Sequence, residues 1–317
     1  MEIKGDSIDA ILIDLYQDLL RSPGRNEGSR GATVEALAVT LRLTKPRARL
    51  SRSENRGKPF SALGELLWYL AKSNKLEFIE PYVGRYKDDA VDGVLYGAYG
   101  PRIFAMRGCV DQLQSVTELL RQTSGSRRAV VQLFNAEDIV SRQQEIPCTT
   151  TLQFLVRDGH LHLSVTMRSN DAYFGLPHDV FCFTMLQEMM SRRLNVELGE
   201  YYHYVGSMHI YDKYVEPMKE YLAEGYQKTV EMPVMSTDDP FPLIPALLDA
   251  EDRVRRGEHV KASDVFQTDY WADILRLIQV FWATGCSERL DELKAEFSDP
   301  IYRTYLEDRR HMKPRSF

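Results

Sequence analysis

Cys148 stands in the run QEIPCTTT, directly after a proline and at the head of a stretch that alternates like a β-strand. Pro147 stiffens the approach and presents the thiol at a strand end. A thiol attacks carbon only as the thiolate, which needs cationic neighbours. Arg168 is one candidate, because it ends the strand that returns from the same hairpin. Without such a neighbour, Cys148 is a small buried hydrophobe. Arg127 and Arg128 precede a further strand, AVVQLF, and are solvated surface charges unless something anionic binds there. Downstream, RSNDAYFGLPHDVF runs a glycine, a leucine and a proline into His178 and Asp179, at the mouth of an apolar helix. Asp179 either caps that helix, as aspartate does well, or faces a ligand; both readings stay open at this point.

The elements that must position these residues are partly readable. Residues 22–31, SPGRNEGSRG, form a polar, glycine-rich loop. GATVEALAVTLRLTKPRARL alternates as a strand, with Leu41 and Leu43 on one face. SALGELLWYLAKSN predicts a buried helix with Ser61 as its N-cap, and DQLQSVTELLRQT an amphipathic one. Residues 80–102 are loop-like and rich in tyrosine and glycine. From Thr149 the pattern is a hairpin turning at Asp158-Gly159, with Leu152, Phe154 and Val156 answered by Leu161, Leu163 and Val165. A helix follows over roughly Val180–Arg193, and YYHYVGSMHIY returns to strand character. Beyond Pro217 the chain reads as mostly helical, with a change of composition at MPVMSTDDPFP, residues 232–242.

Composition excludes several classes. The chain has 317 residues, 44% hydrophobic and 27% charged, with a net charge of −6. That is an ordinary globular composition with enough length for a sizeable core. A general nucleic-acid binder is normally basic, so none is expected here, although a local arginine cluster could still hold a small anion. No apolar run approaches about 18 residues, so no membrane partner is expected. The first residues, MEIKGDSIDAILIDLY, carry acids where an export signal needs bases. Four widely spaced cysteines argue against a zinc ribbon or a disulfide framework, and for a reducing cytoplasm. His160 and His162 alternate on one strand without a further ligand set, so no metal site is expected.

Considered together, SRRAVVQLF, IPCTTTLQF, RSNDAYFGLPHDV and HIYDKY, in that order, resemble thymidylate synthase and its pyrimidine hydroxymethylase relatives. ELLWYL at 65–70, GVLYGAYGPRI at 93–103 and SRG at 29–31 add to the match, which covers about residues 22–215. The resemblance implies an α/β (α+β) fold with a large mixed sheet that pairs back to back in a homodimer. The expected division is a catalytic core over 1–235 and a helical C-terminal extension over 236–317. It further implies that Cys148 adds to C6 of a pyrimidine nucleoside monophosphate, and that C5 then attacks the one-carbon unit of 5,10-methylenetetrahydrofolate. Arg30, Arg168 and Ser169 would hold the phosphate, with Arg127 and Arg128 reaching across from the second subunit. His209 and Tyr211 would bind the sugar hydroxyl, Asp171 the folate, Glu65 would order water and move protons, and Tyr96 would assist proton removal at C5.

Three departures bear on the substrate and the product. The synthases have asparagine where this chain has Asp179. A carboxyl group can accept from cytosine N4–H and share a proton with N3, which also makes C6 more electrophilic. The synthases carry tryptophans in the stretch that reads FIEPYVGRYKDDAVDG here; the tryptophans of this chain are Trp68, Trp271 and Trp282. They also end in a short tail that closes over the folate, where this chain continues in helices. A less shielded one-carbon unit is open to water, which yields a hydroxymethyl group; Tyr82 or Tyr86 as a substitute shield would instead favour hydride transfer and a methyl group. The expectation is a cytidylate 5-hydroxymethyltransferase acting on dCMP or CMP, with Ser169 pointing to the deoxynucleotide. The alternatives are a methyltransferase on the same base, a synthase on dUMP, and a binding protein built on a retired synthase scaffold. Retention of Cys148, Arg168, Asp171, Glu65 and His209 together speaks against the last.

Overall fold

The computed structural model describes residues 1–21, 24–28, 31–53, 59–140, 143, 145–236 and 238–315. Its centre is a seven-stranded mixed sheet built from β1 (Glu2–Gly5), β2 (Arg25–Gly28), β3 (Gly31–Leu43), β4 (Val130–Gln132), β5 (Thr149–Arg157), β6 (His160–Asp171) and β7 (Glu197–Tyr211). The strand order is β1-β3-β7-β6-β5-β4, with β2 paired on β3. β6 and β7 run parallel, and so do β1 and β3; every other pair is antiparallel.

The hairpin β5–β6 turns at Asp158 and Gly159, both with positive φ (49° and 75°), the twist that a tight two-residue turn between right-twisted strands requires. The parallel pair β6–β7 needs a crossover, and the helix Gly175–Leu194 supplies it. This helix starts five residues earlier than the expected Val180, because Gly175 and Pro177 fall in its first turn, where a missing N–H goes unused. It ends at Asn195 in the left-handed conformation, φ 52°. The loop expected at 22–31 contains instead the short strand β2, whose Arg25 pairs with Val34. The helix expected at SALGELLWYL spans Phe60–Leu70, but Ser61 lies inside it; Pro59 holds the cap position, and the Ser61 hydroxyl sits 2.7 Å from Nε2 of His178.

The helices Ile244–Arg255, Asp269–Trp282 and Ser287–Glu296 confirm the helical reading of the C-terminal part. Their apolar faces join the same core as the sheet. Trp271, Ile274, Leu275 and Ile278 are buried together with Leu163, Leu186 and Trp68 in one continuous cluster. Among the described residues, no helix is long and apolar enough to cross a membrane.

Gly64 marks where the C-terminal helices meet the helix Phe60–Leu70. A Cβ there would lie 2.1 Å from Cγ of Tyr82, whose ring is stacked on Phe281 at 4.5 Å and cannot retreat. Gly64→Ala should therefore cost about 1–3 kcal/mol through overpacking. Each kcal/mol lowers the melting temperature by about 2–4 °C. Differential scanning calorimetry checks this; an unchanged melting temperature would mean that the Tyr82 ring yields freely.

Candidate active site

One cleft of about 430 Å³ opens at the ends of β5, β6 and β7, between the helices Phe60–Leu70 and Gly175–Leu194. Cys148, Glu65, Asp179, Arg168, Ser169, Asp171, His209 and Tyr211 all line it.

Cys148 is half-buried immediately before β5, and the register of the hairpin returns Arg168 to it. The Arg168 backbone N–H donates to the Cys148 carbonyl at 2.9 Å. Its guanidinium donates to the carbonyls of Pro147 (3.0 Å) and Ile146 (3.2 Å) and reaches the Cys148 sulfur at 3.6 Å. A guanidinium N–H aimed at sulfur stabilises negative charge there. Ser169 and His209 sit on neighbouring strands, with Oγ to Nδ1 at 3.4 Å, and the Tyr211 ring lies edge-on to His209 at 5.2 Å.

Asp179 is the fifth residue of its helix, so it is not the cap. The turn before the helix is closed by Asp171, whose Oδ1 accepts from the backbone N–H groups of Tyr173 (2.9 Å) and Phe174 (3.1 Å). Its other oxygen, Oδ2, is buried and has no hydrogen-bond partner among the described residues. That leaves an acceptor at the cleft for a ligand N–H. Asp179 is buried, and burial first, then the nearby Glu65 and Asp171, hold its carboxyl well above the usual carboxylate range, against the opposing hydrogen bond with Asn170. Burial there favours the protonated form of the carboxyl.

Asn170, His203, Tyr201 and Tyr69 were not singled out from sequence. Asn170 is buried beside Asp179, and its Nδ2 lies 3.1 Å from Nε2 of His203. Burial pushes His203 down to about 3, so the ring is neutral, and its Nδ1 is 2.7 Å from the Tyr201 hydroxyl. With Nε2 accepting from the amide, the Asn170 oxygen is turned the other way. A Cβ on Gly175 would sit 2.7 Å from that oxygen and 3.6 Å from Oδ2 of Asp179, so the two groups face a common point. Glu65 accepts at one oxygen from two phenols, Tyr69 (3.0 Å) and Tyr86 (2.7 Å). Burial and the Glu65 charge hold both phenols well above their ordinary range, so both donate. These contacts join residues far apart in the chain, and no local pattern signals them.

The tyrosine expected to serve the cleft was Tyr96; the structure places Tyr99 there instead. Both begin a Tyr-Gly pair. The helix Tyr99–Phe104 starts at the second, and Gly100 lets it approach the carbonyl of Tyr69, 2.8 Å from where a Cβ would be. The Tyr99 hydroxyl accepts from the Thr149 backbone N–H and is 3.0 Å from the Thr149 hydroxyl. Burial, then Asp179 and Cys148, raise the Tyr99 phenol well above its usual range. Tyr96 turns away: the Arg102 guanidinium lies 5.1 Å over its ring, and its hydroxyl bonds Asp138. Arg127 and Arg128 are exposed ahead of β4 and do not line this subunit's cleft. Arg30 lies outside the described residues. Of the two aromatics considered as a shield, Tyr86 lines the cleft beside Trp68, ring centroids 5.4 Å apart, while Tyr82 is buried under the C-terminal helices.

A carboxyl with a raised folded-state pKa stabilises the fold fully below its unfolded value, and that contribution is lost as pH rises through the folded value. Asp179→Asn removes the loss. The variant should melt with wild type near pH 4 and above it at pH 8, by about 2–4 °C per kcal/mol relieved. A difference that stays flat between those pH values would show that Asp179 ionises as an exposed carboxyl does.

The family model described as thymidylate synthase matches residues 45–243. That range carries the Cys148–Arg168 hairpin, the Asp171 turn, Glu65, Asp179 and the His209 strand, and it covers more than half of the chain. The chain belongs to the thymidylate synthase family, whose members transfer a one-carbon unit from methylenetetrahydrofolate to C5 of a pyrimidine nucleotide.

Proposed function

We propose that this protein is a cytidylate 5-hydroxymethyltransferase, and that the protonated carboxyl of Asp179 carries the assignment. Attack of the Cys148 thiolate on C6 pushes an electron pair toward N3 of cytosine, which must then take a proton. A carboxyl that keeps its proton at neutral pH supplies one there and accepts from the N4 amino group with its other oxygen. An amide has no proton to transfer. Arg168 holds the thiolate and, with Ser169 and the expected Arg30, the phosphate; Arg127 and Arg128 would come from the second subunit of a homodimer. His209 and Tyr211 take the sugar hydroxyl. Tyr99, beside Cys148 and Asp179, keeps its phenolic proton and would assist proton removal at C5 by holding a water there, in the role expected of Tyr96.

The folate fits this cleft by its acceptor chemistry. The unpaired Asp171 oxygen suits an N–H of a pterin. Beyond Phe174 the cleft continues into a groove walled by Tyr211 and Tyr214, with Arg85 and Lys213 beside Asp88 and Asp89; its rings suit an aromatic ring, and its two cations suit carboxylates that keep clear of the aspartates. When bound, methylenetetrahydrofolate supplies the one-carbon unit. After the C5 proton is removed, the bond from that carbon to the folate nitrogen breaks and tetrahydrofolate leaves. Glu65 orders water toward the carbon and takes its proton, and the water oxygen bonds to the carbon. The double bond returns to C5–C6 as the Cys148 thiolate leaves, and the N3 proton returns to Asp179. A second reading, methyl transfer to the same base, is favoured by the aromatic cover of Trp68 and Tyr86 at the cleft.

The deciding experiment incubates the enzyme with methylenetetrahydrofolate and, separately, dCMP, CMP, dUMP and UMP, and identifies products by mass. A hydroxymethylated cytidylate is expected; a methylated one selects the second reading, and product from dUMP alone overturns the cytosine assignment. Cys148→Ser should abolish turnover while leaving nucleotide binding largely intact. Asp179→Asn should shift the cytidylate-to-deoxyuridylate ratio of kcat/KM toward uracil by about tenfold to a hundredfold. Since the Asp179 proton is lost as pH rises, cytidylate kcat/KM should fall on the alkaline side in the wild type. A ratio unmoved by Asp179→Asn would remove Asp179 from base selection.

A further inference from the structure

The segment 76–89 forms one wall of the cleft. It contains the short helix Leu76–Ile79, then Tyr82, and then a tight turn over Gly84–Asp88 that carries Arg85 and Tyr86. Besides its own local turns, it is held by two arginines from distant parts of the chain. Arg255 donates to the carbonyls of Glu77 (3.0 Å) and Phe78 (2.9 Å), and Arg315 to that of Pro81 (2.9 Å). These are carbonyls that a helix of one turn leaves without internal partners. The Tyr82 hydroxyl donates to Glu251 at 2.6 Å and accepts from the Trp282 indole at 3.2 Å. Glu251 also takes the Arg255 Nε–H at 2.9 Å, and the Arg315 guanidinium lies 3.6 Å over the Phe281 ring. None of Glu251, Arg255, Phe281, Trp282 and Arg315 lines the cleft.

At the other edge of the wall, Tyr86 donates to Glu65 at 2.7 Å and packs on Trp68. We propose that residues 244–315 act as a brace that fixes this wall, and that through it Tyr86 serves as a positioning residue for Glu65. Tyr69 alone would leave the Glu65 carboxylate free to turn, because a single phenol holds one oxygen at one angle. The second phenol, fixed from the wall, holds Oε1 and leaves Oε2 to take a proton from water. The indoles of the synthases shield that region; a phenol tied to Glu65 both covers it and orients the acceptor. This inference rests on the reading of the cleft as the active site and adds Tyr86, Arg255 and Arg315 to what controls it.

The test compares Tyr86→Phe, Arg315→Ala and the double variant in the full chain. Tyr86→Phe should lower kcat by about tenfold to a hundredfold, the value of a hydrogen bond to a charged group, with nucleotide Kd within about twofold of wild type. The acid limb of its kcat profile should move to higher pH, because a carboxylate that loses a donor holds its proton longer. Arg315→Ala should show the same kcat loss and pH displacement in smaller degree. The double variant should be no worse than Tyr86→Phe, since both act through one contact. Unchanged kcat and pH profile in Tyr86→Phe, or fully additive losses in the double variant, overturns the proposal. Hydrogen exchange reads the brace without activity: Arg315→Ala should speed exchange within 76–89 and leave the sheet unchanged. If wild type binds no nucleotide, the functional reading fails, and the exchange result still decides whether the brace exists; equal exchange in wild type and variant rejects it.

Discussion

Two carboxyl groups, Glu65 and Asp179, reach one cleft from two helices that pack on each other, and their charges oppose one another. The surroundings of the pair separate them. Glu65 receives two phenolic donors, from Tyr69 and Tyr86, at one oxygen. Asp179 is enclosed, and burial first, then Glu65, hold its carboxyl well above the usual carboxylate range. The two carboxyl groups therefore stand in unlike surroundings within one cleft. The neutral His203, the Asn170 amide and the phenols of Tyr69, Tyr86 and Tyr99 all follow from that separation, because each shapes the field or the orientation at one of the two groups.

The sheet sets where these groups can be. Parallel pairing of β6 with β7 puts Asp171 beside His209 and Ser169 beside Ser207, so these residues reach the cleft together. Antiparallel pairing of β5 with β6 brings Arg168 back to Cys148. The crossover helix then carries Asp179 over that edge. A shift of one residue in either register would turn the alternate side chains away from the cleft.

Much of this was legible in the sequence where the cause is local. The Asp158-Gly159 turn, the alternation of β5 and β6, and the approach of Arg168 to Cys148 all follow from one hairpin. The helical reading beyond Pro217 is met by Asp269–Trp282, although that helix is buried on nearly every side. What was not legible depends on distant partners. Tyr96 and Tyr99 have the same local spelling, and only the close approach of Gly100 to the Tyr69 carbonyl decides between them. Ser61 has the chemistry of a cap, but His178 from another helix claims its hydroxyl. Gly175 and Pro177 are helix breakers by type, and their place in the first turn depends on the Asp171 turn ahead of them. Asn170 gained a role only when β7 delivered His203 to it.

The contact of Arg315 with Pro81 spans 234 residues. Synthesis proceeds at about 5–20 residues per second, so the ribosome delivers Arg315 roughly 10–50 s after Pro81. During that interval the apolar face of Tyr82 and the one-turn helix before it has no cover from Phe281 and Trp282, and the Glu77, Phe78 and Pro81 carbonyls lack their arginine donors. The nascent chain thus has its central hairpin available well before its cleft can close. The wall is completed only once Arg315 has been made, and until then its apolar surface lacks the cover of Phe281 and Trp282 and its carbonyls lack their arginine donors.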